Sequence, residues 1–198
     1  MTKNIEESIE LAIRHQSKLD AEVIKIEGLT CLEIRHLLNN LAYNRHYLEI
    51  GLYKGATFIA ANYNGNSLSS IGVDNWCKFN ENGQTKRQFI KNCDKYLKKY
   101  QFLEQDCFTI EKLNSRINLF YYDGDHSETA SFNALKHFTP MCCTRFIYLV
   151  DDWNYETVRA GTQRAIQNLS LEVLSERTMK WWNGFYIAEL KKSFKELL

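Results

Sequence analysis

Leu48-Glu49-Ile50-Gly51-Leu52-Tyr53-Lys54-Gly55 is the stretch that decides how the rest of the chain is read. Tyr47 to Ile50 is a short strand-like run that empties into two glycines. Gly51 lets the backbone turn tightly, and Gly55 allows a close approach at the start of the helix that follows. A dinucleotide fingerprint would place a further glycine between them, where a pyrophosphate meets backbone amides. Tyr53 stands there instead and crowds a pyrophosphate. The acid upstream, Glu49, suits a cationic ligand better than an anionic one. Taken alone, the glycine pair is also ordinary turn chemistry, so its meaning depends on what surrounds it.

Working outward, strands alternate with helices. Strands are predicted at 47–50, 70–74, 102–106, 117–122, 145–150, 171–176 and 184–190. Helices are predicted at 4–16, 30–42 with Thr30 as N-cap, 85–99, 129–137 and 155–169. Such alternation indicates parallel β-α-β units, hence an α/β fold. Ligands of such sheets bind beyond the carboxyl ends of the strands. Glu49, Asp74, Asp106, Asp123 and Asp151 all fall at predicted strand exits, so they are expected on one edge. The 198 residues suit a single domain, with N-terminal helices over 1–43 and the core over 44–192.

Composition narrows the partners. Formal net charge is +1, so no long-range field draws the chain to nucleic acid or an anionic membrane. Nucleic acid is therefore not expected as a partner, and the basic segment 85–99 reads as a solvated helix face. The sequence shows neither an apolar signal-peptide core at its N-terminus nor a run of about 20 apolar residues, so no membrane association is expected. The six cysteines form no C-x-x-C pair. They read as reduced thiols of a cytoplasmic protein. A homo-oligomer is compatible with all of this.

The second strand exit gives the loop its meaning. Asp74 lies 25 residues after Glu49, near the spacing at which an acid caps a ribose diol. Asp106 can accept from an adenine amino group. Together with Glu49 these outline an adenosine site for a ligand with sulfonium and ammonium charges, such as S-adenosylmethionine.

At this point the chain resembles a known family. Leu48 to Thr57, tyrosine included, is similar to motif I of the catechol and caffeoyl-coenzyme-A O-methyltransferases. Gly72-Val73-Asp74-Asn75-Trp76, Tyr121-Tyr122-Asp123-Gly124-Asp125-His126 and Val150-Asp151-Asp152 resemble the bacterial branch with macrocin and sugar O-methyltransferases. The resemblance spans roughly residues 46–190 in the expected order. It implies a class I methyltransferase: a Rossmann-like, seven-stranded, mostly parallel sheet with helices on both faces and an antiparallel last strand. It also implies S-adenosylmethionine, held by Glu49, Gly51, Tyr53, Gly55, Asp74, Asn75, Asp106 and Asp123. Gln105 stands where many relatives have glycine.

Asp123, Asp151 and Asp152 mark the acceptor side. A cluster of hard oxygen ligands without cysteine points to Mg²⁺, Mn²⁺ or Ca²⁺. Such an ion would activate a hydroxyl on a small acceptor, a sugar or a phenol. Solvated turn acids are the plainer reading of the same residues. His126 falls where catechol-type enzymes place a lysine base, and a histidine there can take the acceptor proton near neutral pH. Three readings compete with a metal-assisted O-methyltransferase. They are a metal-independent methyltransferase using His126, a cofactor-binding protein without turnover, and a nicotinamide dehydrogenase. Tyr53 counts against the last.

Overall fold

The computed structural model describes residues 3–193. Its strands are β1 (His46–Ile50), β2 (Ser69–Val73), β3 (Phe102–Leu103), β4 (Ile117–Tyr122), β5 (Cys142–Val150), β6 (Glu172–Met179) and β7 (Phe185–Lys191). They form one seven-stranded sheet in the order β3-β2-β1-β4-β5-β7-β6. β1 with β2, β2 with β3 and β4 with β5 are parallel, while β7 runs antiparallel to both β5 and β6. The helices are α1 (Ile5–Ile13), α2 (Ala21–Ile24), α3 (Leu32–Ala42), α4 (Ala56–Asn62), α5 (Gln84–Tyr96), α6 (Glu128–Phe138) and α7 (Glu156–Asn168). The seven-stranded, mostly parallel α/β expectation holds. Contacts divide the chain into two compact units, Met1–Cys107 and Phe108–Leu198.

In the first unit, β1 and β2 align so that Leu48 faces Ile71 and Ile50 faces Val73 across the ladder. α4 is buried along its whole length, which suits its small and apolar residues. Phe89 of α5 packs against Phe58 and Trp76, at ring-centroid distances of 6.0 and 5.4 Å. α3 packs on α4, where the Asn39 amide donates to the Ala60 carbonyl at 2.7 Å. Two sequence expectations are corrected here. The cap of α3 is Cys31, not Thr30, whose hydroxyl is buried without a hydrogen-bond partner. β3 stops at Leu103, so Asp106 lies in the loop beyond it rather than at the strand's end.

In the second unit, β4 and β5 are nearly continuous apolar runs, as strands covered on both faces must be. Phe120 packs on Phe138 and Tyr148 at 5.3 and 5.0 Å. α6 and α7 touch closely at Gly161. A Cβ there would lie 2.3 Å from the Glu128 carbonyl oxygen and 2.8 Å from Ser131 Cβ. Ser127 caps α6, its hydroxyl accepting from the Ala130 N–H at 3.2 Å. All six cysteines are free thiols. No helix among the described residues is long and apolar enough to cross a membrane.

Candidate functional site

The loop after β1 is wound by alternate left-handed residues: Gly51, Tyr53 and Gly55 have φ of 90°, 47° and 88°. For Gly55 this conformation and a Phe89 ring 3.0 Å from any added Cβ leave room for glycine alone. Asp74, at the exit of β2, holds the loop in place. Its Oδ2 accepts the N–H groups of Leu52 and Tyr53 at 2.8 and 3.1 Å, and its Oδ1 accepts that of Trp76 at 2.7 Å. The Trp76 indole N–H donates to the Tyr53 carbonyl at 3.2 Å, closing the ring of contacts. Beneath the loop Glu49 is completely buried. It accepts from the Tyr47 hydroxyl, and from Thr57 Oγ1 at 2.6 Å. Glu49 therefore ties β1 to α4 from below. Asn75 is spent locally, its Oδ1 accepting the Cys77 N–H at 3.0 Å.

In the second unit the exits of β4 and β5 are neighbours, with Tyr122 aligned to Val150 and the Asp151 N–H donating to the Tyr122 carbonyl at 3.2 Å. Here the acids part company. Asp151 is 3% exposed, and its Oδ2 accepts from the Tyr121 hydroxyl at 3.1 Å. Burial, then the charge of Asp123, pushes its carboxyl up to about 8. Asp152 takes a left-handed backbone, φ 55°, and turns to His126, whose Nε2 lies 2.8 Å from its Oδ2. Burial opposes ionisation of Asp152, but the hydrogen bond and charge of His126 outweigh it and hold the carboxyl below its usual value. Asp123 Oδ1 lies 4.0 Å from the same His126 nitrogen. Desolvation raises Asp123, with His126 working against it. Asp123 and Asp152 together lift His126 to about 10, so it is an imidazolium at neutral pH. The distances make Asp152 the closer partner.

Ligand atoms of Asp123, His126 and Asp152 all lie within 4.8 Å of one another. Asp152 Oδ1 is buried and has no hydrogen-bond partner. A carboxylate oxygen so placed is costly unless a cation or donor meets it. Asp125 supports the turn instead, its Oδ1 accepting the Ser127 N–H at 2.9 Å. The Tyr155 ring stacks on His126 at 5.6 Å and is itself 51% exposed, a flat surface beside the cluster that the sequence did not flag. Trp153 is packed against Tyr186 at 4.1 Å rather than open, whereas Trp182 is 45% exposed.

The sequence profile of a methyltransferase domain family matches residues 48–153, from the glycine loop to the turn after β5. The chain belongs to this methyltransferase family. No curated protein sequence matches the chain significantly. Solved structures share its fold at low identity. An O-methyltransferase from Bacillus cereus in complex with SAH has a TM-score of 0.59 at 13% identity, over 96% of this chain and 92% of that one. A protein from Corynebacterium glutamicum has a TM-score of 0.65 at 13% identity, over 96% and 98%. TrmN from Thermus thermophilus has a TM-score of 0.63 at 12% identity over 87% of this chain, which spans only 52% of TrmN.

The structure brings Gly51, Tyr53, Gly55 and Asp74 together in the first unit, and Asp123, Asp152 and His126 together in the second. Of the three acids expected to hold a metal, Asp151 lies outside the group of ligand atoms. His126, expected as a free base, stands within it. The sequence signal for that exchange is the spacing Asp123-x-x-His126, which places a histidine one short turn after the strand exit.

Proposed function

We propose that the chain is an S-adenosylmethionine-dependent methyltransferase acting on a hydroxyl of a small acceptor, with a divalent cation at Asp123, His126 and Asp152. The observation that carries the metal-assisted form is the group of three converging ligand atoms beside a buried, partnerless oxygen of Asp152. Two carboxylates and an imidazole suit Mn²⁺ better than Mg²⁺, and an ion bound there would displace the proton that His126 otherwise carries. Bound there, the cation would supply positive charge that lowers the pKa of an acceptor hydroxyl. The cofactor, bound by Gly51, Tyr53, Gly55, Asp74 and Asp106, would supply an electrophilic methyl group on sulfur.

The chain's own residues do the rest. Asp74 fixes the loop so that its left-handed turn is formed before any ligand arrives, which lowers the ordering cost of binding. Burial raises the Asp151 carboxyl and so opposes a further negative charge beside Asp123. Tyr155 offers a planar face next to His126 for an aromatic or sugar ring. A second reading rests on the 2.8 Å contact of His126 with Asp152. In it the imidazolium itself is the cation of the site, and methyl transfer needs no metal.

Thermal unfolding with S-adenosylhomocysteine, then with Mn²⁺, tests both. Ligand at 100 times its Kd should stabilise the protein by about 2.7 kcal/mol. Mn²⁺ should raise the melting temperature further in wild type and not in Asp152→Asn. Methyl transfer to screened phenols and sugars should then respond to chelation. A chelator without effect on either readout leaves the second reading, and no stabilisation by S-adenosylhomocysteine defeats both.

A further inference from the structure

We propose that the outer face of α5, extended by Lys25 and Phe79, is a docking surface for a single-stranded nucleic acid. Arg87, Lys91 and Lys95 recur every fourth residue on α5 and are all exposed. At 1.5 Å per residue, such cations stand about 6 Å apart in a line. That step is comparable to the distance between successive phosphates of an extended strand. Lys98 and Lys99 follow the end of the helix, both exposed. Lys25, 73% exposed, joins from α2, because Glu22 bridges it to Lys95 at 3.7 and 4.0 Å.

Among these cations sit Glu22, which meets Lys25 and Lys95, and Asp94, which accepts from the Tyr100 hydroxyl at 2.7 Å. Lys91, Lys98 and Lys99 have no ion-pair partner among the described residues. The whole chain carries a formal charge of only +1, yet five of these cations fall within residues 87–99. Neutrality overall, the reason for not expecting nucleic acid, does not describe the surface.

Phe79 supplies what charge alone lacks. Its side chain is 70% exposed, the most of any large apolar residue described, and its backbone is left-handed with φ 54°. A bulky residue in that conformation is uncommon and needs a holding contact. Here Thr85, in the first turn of α5, donates its hydroxyl to the Phe79 carbonyl. The ring forms a T-shaped pair with the Tyr53 ring at a centroid distance of 6.4 Å. A line of cations tracking phosphates, with an exposed ring at its end on which a base can stack, is the pattern of strand-binding surfaces. A membrane surface would ask for several apolar side chains side by side, and this face presents one. The proposal stands whichever acceptor is methylated, because the cations belong to neither the cofactor loop nor the acidic cluster, and Phe79 touches the loop only through the Tyr53 ring.

The test is fluorescence anisotropy with a dye-labelled twelve-nucleotide oligouridine. Wild type should bind, with log K falling against log salt at a slope of about −3 if four phosphates are neutralised. Lys91→Glu/Lys98→Glu should weaken binding at least tenfold while melting temperature and S-adenosylhomocysteine affinity stay unchanged. The milder Lys91→Gln/Lys98→Gln serves if charge reversal impairs folding. Phe79→Ala should weaken oligouridine several-fold and leave inorganic polyphosphate of matched charge unaffected. No binding at low salt, no loss in either lysine pair, or polyphosphate and anionic vesicles binding as well as oligouridine would each overturn the proposal.

Discussion

At the exit of β2 one carboxylate accepts three backbone N–H groups, those of Leu52, Tyr53 and Trp76. Charge-assisted bonds of this kind are the strong ones, and a loop with three left-handed residues needs them. Asp74→Ala should therefore weaken S-adenosylhomocysteine binding by about 1–3 kcal/mol, because the loop loosens and because the carboxylate no longer meets the ligand. Calorimetry on Asp74→Ala and Asp74→Asn reads this, with asparagine expected between alanine and wild type. Equal affinities in all three would remove Asp74 from the site. At the acidic cluster, His126→Ala strips Asp152 of its closest partner. Because the His126 side chain is 43% exposed, solvent screens part of the loss, and a cost of about 1 kcal/mol is expected. Mn²⁺ should restore more stability to this variant than to Asp152→Asn, which keeps no carboxylate there. Urea unfolding with and without Mn²⁺ distinguishes the two; equal responses would count against Asp152 as a ligand.

Among the elements, the pair α6 and α7 carries a structural constraint that reaches the cluster. Gly161 lets α7 approach the Glu128 carbonyl and Ser131 within a distance no Cβ tolerates. Gly161→Ala must push α6 away, and overpacking of this kind costs typically about 1–3 kcal/mol. α6 begins at Glu128, two residues after His126, and Thr157 of α7 donates its hydroxyl to the His126 carbonyl at 2.7 Å. The same substitution should therefore lower methyl transfer more than it lowers cofactor affinity. A variant with wild-type melting temperature would show that the helices have slack at this point. Ser170, just beyond the far end of α7, is remote in sequence from Thr157 and serves as the control position.

For the molecule as a whole, acid sensitivity is built in near the N-terminus. His36 of α3 is 3% exposed, its Nδ1 lies 2.7 Å from Ser17 Oγ, and its ring stacks on that of His15 at 5.4 Å. Burial, then the charge of His15, lowers its pKa, with Glu33 opposing. The folded state thus resists a proton that the unfolded chain accepts. Between the ordinary value of 6.5 and the lowered one, the unfolded state binds more protons, so stability rises with pH. The His36 contribution to stability should accordingly fall as pH drops below about 6.5, while the raised Asp151 carboxyl acts in the opposite sense up to about 8. Urea midpoints at pH 7.5, 6.5 and 5.5 read it as the difference in slope between wild type and His36→Gln. An unchanged slope in the variant would assign the acid sensitivity to other groups.

Local pattern was enough for the strands and for the glycine loop. Periodicity and turn chemistry act within a few residues, so 117–122 is found as a strand with those bounds, and Gly51 and Gly55 do take the left-handed conformations their positions suggest. The short β3 was overestimated because an edge strand is held by its neighbour, and only two residues of it reach β2. The sequence alone also determined the family, since the motifs from Leu48 to Trp153 carry it in linear order. What only the tertiary structure decided is which of the adjacent acids after β5 faces the cluster. Successive residues at a strand end point to opposite sides. Whether Asp151 or Asp152 turns outward depends on a left-handed residue and a Tyr121 hydroxyl thirty positions away. In the sequence the two acids are equals; burial makes one a nearly neutral acid under Tyr121 and leaves the other charged against His126.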